Sequence, residues 1–145
     1  MKIKTMNKSI FALMLLSSSM ANCQFGVNYY QSLNSSMAGF NYEIKNRFKM
    51  EMRLGSASNG GWGDRFAFQS NLLFDIINKD DYEFYLGVGA QTDLGNDAFF
   101  IAPLGFNFYP LESKKFGFHI ELTPIISDYD EGLRASAGIR YRFVK

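Results

Sequence analysis

One cysteine, one histidine, one tryptophan and three prolines stand in 145 residues. With Cys23 alone, no disulfide can form within the chain. His119 without a cysteine cluster leaves a metal ion too few soft or imidazole ligands, so no metal is expected. A formal net charge of +1 removes the electrostatic reason to expect nucleic acid. No apolar run approaches the ~18 residues of a membrane-spanning helix. Beyond residue 24 no segment has amphipathic helical spacing, and no glycine cluster has the strand-to-helix context that cradles a phosphate. No cofactor is therefore expected. Linkers, low-complexity tracts and internal composition shifts are missing too, which leaves one domain at most.

The chain opens on Lys2, Lys4 and Lys8, an apolar run from Ile10 to Leu16, and Ser17, Ser18 and Ser19. Basic, apolar and small residues in that order form a secretory signal peptide. Cleavage fits after Ala21 or after Cys23. The second site makes residues 1–23 the signal and begins the exported domain, 24–145, at Gln24. A lipidated Cys23 is the other reading, but Asn22 stands where such signals normally hold Gly, Ala or Ser.

What the chain does have is alternation. In "RFKMEMRLG" Phe48, Met50, Met52 and Leu54 share one face, and Arg47, Lys49, Glu51 and Arg53 the other. "RASAGIRYRF", "FGFHIELTPI", "YEFYLGVGAQ" and "GFNYEIK" repeat the pattern, and it recurs more weakly over 25–32, 65–76 and 99–109. A period of two is a strand with unlike faces. Eight such segments, separated by Gly, Asn, Asp, Ser and Pro clusters, predict an all-β, antiparallel up-and-down meander. Closing it into a barrel removes the exposed edges. Pro103 and Pro124 each delete a ladder hydrogen bond inside a predicted strand, which predicts a bulge or an early strand end.

Aromatic residues on the apolar face sort by height. Phe25, Tyr42, Phe48, Phe74, Phe84, Phe108, Phe116, Tyr141 and Phe143 fall towards one end and Phe40, Phe66 and Phe100 towards the other, with aliphatic residues between. Two aromatic girdles around an aliphatic band match a bilayer and its interfaces. The last strand carries Ile139, Tyr141 and Phe143 in alternation, with Val144 and Lys145 after the final aromatic. This segment resembles the C-terminal insertion signal of bacterial outer-membrane barrels, and the whole exported domain resembles the small eight-stranded barrels of the OmpA/OmpX type. The resemblance implies a monomer in the bacterial outer membrane. Its implied partners are the membrane lipid and the barrel-assembly machinery, met through the C-terminal strand.

In that arrangement the charged face lines a lumen just wide enough to be filled by side chains. Lys49, Arg53, Arg134, Arg140 and Arg142 then face Glu43, Glu51, Glu83 and Glu121, with His119 beside Glu121. Buried charges persist when paired and hydrogen-bonded, so a plugging ionic network is expected rather than an open pore. Glycines 87, 89, 105, 117 and 138 leave room for the long side chains. No catalytic residue is assigned: His119 lies low in its strand with no serine at short spacing. Asp128, Asp130 and Glu131 lack the remaining ligands of a calcium loop. Trp62, in the longest connection, is a candidate contact to a partner or to lipid headgroups. The function expected is structural, or one of surface interaction in the cell envelope. The alternatives are a narrow channel, a lipid-modifying outer-membrane enzyme, and a soluble lipocalin-like barrel with its faces reversed.

Overall fold

The computed structural model describes residues 24–45, 47–57, 65–93, 98–126 and 131–143. Residues 1–23, read above as a signal peptide and including Cys23, the Trp62 connection, the acidic residues Asp128 and Asp130, and Val144 and Lys145 lie outside them, as does the side chain of Glu131. Nine strands follow one another: β1 Phe25–Ser32, β2 Ser35–Lys45, β3 Phe48–Ala57, β4 Arg65–Asn78, β5 Tyr82–Asp93, β6 Ala98–Ile101, β7 Leu104–Phe108, β8 Phe116–Ile126 and β9 Glu131–Phe143. β6 and β7 are halves of one strand, since both lie between β5 and β8. Eight strand positions result, every pairing is antiparallel, and β1 pairs with β9 to close the barrel.

The stagger of the barrel can be read from its register. Direct partners lead from Val27 through Phe40, Met52, Ser70, Ala90, Phe100 and Ile126 to Glu131, yet Val27 itself pairs with Tyr141. The offset from residue 131 to residue 141 is ten residues along β9. A stagger of that size with eight strands tilts each strand by about 40°. One end of the barrel holds Gln24, Phe143 and the turns after β2, β4 and β7, and is called the terminal end here. The other, the loop end, holds the connections after β1, β3, β5 and β8.

The two prolines account for the break between β6 and β7, where the sequence pattern predicts one strand over 99–109. Gly87 N–H donates to Pro103 O (2.7 Å), and Ala102 N–H donates to Pro124 O (3.1 Å). In each pair the return bond would come from a proline nitrogen, which has no hydrogen. Both faults fall on adjacent residues, so the ladder is interrupted once while β8 itself runs through Pro124. β2 begins at Ser35, four residues before the predicted 39, because Met37 and Ala38 continue the alternation. Arg47, predicted to open β3 on the charged face, lies in the turn before it and is exposed.

The faces are inside out compared with a water-soluble barrel. Val27, Phe40, Met52, Leu86, Phe118 and Ile139 point outward and are exposed, whereas Lys49, Glu51, Arg53, Glu83, Glu121 and Arg140 are buried within. Ring contacts at the terminal end join Phe25 to Tyr42, Phe48 to Phe74, Tyr82 to Phe106, Phe116 to Phe118 and Tyr141 to Phe143. Phe40, expected in the opposite girdle, stacks on Phe25 at 5.6 Å. Strand tilt brings it down to the terminal belt, a shift that distance along one strand cannot reveal. Phe66, Phe68 and Phe100 are the large aromatics exposed near the loop end.

Candidate functional site in the barrel lumen

Two ionic clusters stand at different heights in the lumen. Nearer the terminal end, the Lys49 ammonium lies 2.7 Å from Asp75 Oδ2 and 2.7 Å from Glu83 Oε2. Glu83 also accepts from Asn107 Nδ2 (2.8 Å), Tyr109 OH (3.2 Å) and Arg142 Nη1 (3.1 Å). Arg142 ties this cluster to two turns by donating to Asp80 O and Lys114 O, both at 3.1 Å, and its guanidinium stacks 3.4 Å from the Tyr109 ring centroid. A recess of about 390 Å³, lined by Glu43, Arg47, Asp80, Glu83 and Arg142 among others, opens at this end.

Above it, Arg53 donates through Nη1 and Nη2 to the two oxygens of Glu121, at 2.6 and 2.7 Å, and through Nε to Glu51. Paired parallel bonds from a planar guanidinium are the strongest ionic geometry available to side chains. Glu121 accepts further from Tyr85 OH (2.6 Å) and Thr123 Oγ1 (2.8 Å). Glu51 accepts from Tyr30 OH (2.7 Å) and Asn28 Nδ2 (3.0 Å). The Arg53 guanidinium lies 3.8 Å from the Tyr30 ring centroid, and the Tyr30 ring in turn meets that of His119 at 4.2 Å, tilted by 44°.

Two tyrosines laid over glycines, Tyr85 and Tyr109, are among the largest side chains that fill the lumen. A Cβ on Gly105 would stand 2.3 Å from the Tyr85 ring, and one on Gly117 would stand 2.6 Å from Tyr109. Register brings Tyr85 opposite Gly105, so the missing side chain is the space the ring occupies. Aromatic rings covering cross-strand glycines are a recurring device of curved sheets.

Not every residue of the expected network joins it. Arg134 stands near the loop end and donates to Gln91 Oε1 (3.0 Å). Glu43 is only half-buried at the terminal recess. Arg140 is buried between the clusters, but its Nε and Nη1 meet no acceptor among the described residues; nor do the two ring nitrogens of His119 meet a partner. Sequence reading passed over Tyr30, Tyr85, Tyr109, Thr123, Asn28 and Asn107 as network members and did not single out Asp75. Parity was the available signal, since all seven stand on the charged face, but their polar ends reveal nothing until strands are paired. Ile139, Tyr141 and Phe143 point outward on the closing strand.

A closed eight-stranded barrel with charge inside and apolar residues outside has close structural counterparts. The N-terminal β-barrel domain of Pseudomonas aeruginosa OprF superposes with a TM-score of 0.67 at 9% identity, over 83% of this chain and 96% of that one. The fold is that of the small outer-membrane barrels. Yersinia pestis Ail in a phospholipid bilayer nanodisc gives 0.56 at 15% identity, over 83% of this chain and 98% of its own. A de novo designed transmembrane β-barrel gives 0.64 at 12% identity, over 83% and 93%. No protein-family model and no curated protein matches the chain. A designed barrel matches about as well as natural ones, so the likeness is one of architecture.

Proposed function

We propose that the chain is an integral protein of the bacterial outer membrane with a structural or surface-interaction role, closed to solutes. The observation that carries this reading is the inversion of polarity, with a charged lumen inside a belt of exposed Phe, Leu, Ile, Met and Val. In water, each large apolar side chain left exposed forgoes about 1.5–3 kcal/mol of burial. A hydrocarbon surround removes that penalty and accommodates the terminal-end aromatic belt at an interface. The terminal end then faces the periplasm and the loop end the exterior.

Tyr30, Glu51, Arg53, Glu121, Tyr85 and Thr123 cross the lumen as one hydrogen-bonded layer, which supports a plug rather than a channel. An outer-membrane lipid-modifying enzyme would present its histidine to the lipid. His119 is instead buried against Tyr30 inside the barrel, which supports a non-enzymatic role. The C-terminal strand, with Tyr141 and Phe143 outward at the closing seam, is the segment proposed to meet the assembly machinery.

Heat-modifiability tests the reading. The exported domain, refolded in micelles, is expected to show a β-type circular dichroism spectrum and a gel mobility that changes on boiling. A monomer that stays soluble without detergent overturns the membrane assignment. Planar bilayers containing the refolded protein are expected to be electrically silent, and discrete conductance steps would make the channel the better reading.

A further inference from the structure

On the outer wall a groove of about 680 Å³ crosses five strands. Its lower border is a row of direct cross-strand partners, Gln31, Ala137, Ile120, Phe106 and Phe84, running from β1 through β9, β8 and β7 to β5. Ala135, Leu122 and Leu104 form the next row towards the loop end. Strand tilt makes the first row descend from the loop end on β1 to the terminal belt on β5, and the second runs beside it from β9 to β7. The groove is deep because Ala135 and Ala137 stop short where neighbouring positions carry Leu, Ile or Phe.

We propose that this groove seats one acyl chain of a zwitterionic glycerophospholipid, with its ester end at Gln31 and Ser32. The inference rests on the membrane reading above. Lipid is the occupant because the groove lies in the apolar band that faces the bilayer, walled by Leu104, Phe106, Ile120, Leu122, Ala135 and Ala137. Four inter-strand spacings of ~4.8 Å give a length of roughly 19 Å, comparable with one leaflet of a hydrocarbon core about 30 Å thick. Polarity sets the direction. Gln31 Nε2 donates to Ser32 O (2.8 Å), and its oxygen accepts from Tyr29 OH (2.7 Å). The amide keeps a second N–H for an ester carbonyl. The far end is closed by Phe84 and Phe106. Among the described residues no lysine or arginine lines the groove, and a heavily phosphorylated saccharolipid would call for such partners.

Native mass spectrometry of the detergent-solubilised barrel with added phosphatidylethanolamine tests this. One lipid per barrel is expected to survive at activation energies that strip the remaining detergent. Ala135→Phe/Ala137→Phe is expected to lower retention about tenfold, while Ala90→Phe, on the outer face away from the groove, leaves it unchanged. Both variants are first checked for heat-modifiable mobility. A barrel that needs no detergent overturns the membrane reading and this inference with it. A detergent-dependent barrel that holds no lipid, or holds it equally in all three forms, overturns the inference alone. Displacement of the phospholipid by lipid A overturns the choice of ligand.

Discussion

Three side chains converge on Glu121 with four hydrogen bonds, two from Arg53 and one each from Tyr85 and Thr123. A buried ion pair of this kind is worth little against an apolar pair of the same shape, yet breaking one half of it is costly. Glu121→Gln is therefore expected to destabilise the folded barrel by about 3–5 kcal/mol, read as a lowered urea midpoint in lipid vesicles. Adding Arg53→Met and Glu51→Gln to Glu121→Gln, so that no carboxylate of the cluster is left without its cation, should restore much of the loss, and a triple variant no better than the single would sink the pairing argument. Gly105→Ala drives a methyl into the Tyr85 ring and should cost about 1–3 kcal/mol. Gly132→Ala serves as its control, because a Cβ there meets nothing within 4 Å.

At the scale of the element, the decisive contact is the seam between β1 and β9. Eight residue pairs, from Phe25 with Phe143 to Ser32 with Ser136, join the first and last strands. An open sheet would leave both as edges with rapidly exchanging amides. Amide exchange in micelles is expected to find the seam amides of β1 and β9 as slow as those of β3 and β4; fast exchange confined to β1 and β9 would mean the barrel is open. Tyr141→Ala/Phe143→Ala strips two aromatics from the end of β9 and is expected to lower insertion yield into preformed vesicles. Insertion at the wild-type yield would show that the closing aromatics are dispensable.

At the scale of the whole molecule, eight strand positions and a ten-residue stagger leave an interior that side chains can fill. The two ionic clusters, the tyrosines over glycines and the amide-bearing residues occupy it, while the apolar band faces outward. Bilayer conductance is therefore the sharpest whole-molecule measurement. The wild type is expected to be silent. Arg53→Ala/Glu121→Ala, which removes the middle of the plug, is expected to pass small ions if the barrel stays closed. A variant that folds and stays silent would place the seal elsewhere, at the Lys49–Asp75–Glu83 cluster.

Alternation by itself determined the strands, the two faces and, Arg47 in its turn apart, which charges turn inward, because side-chain direction in a strand depends only on parity. It also located both proline faults, since a missing N–H is a local property. Parity could not say which charges meet. Arg53 and Glu121 are 68 residues apart and touch because register and stagger bring β3 and β8 across one narrow lumen. The same geometry seats Phe40 beside Phe25, brings Arg134 to Gln91, and aligns Ala135 and Ala137 into a groove. Height around a tilted barrel is a sum over every pairing in the sheet, so only the closed tertiary structure decides it.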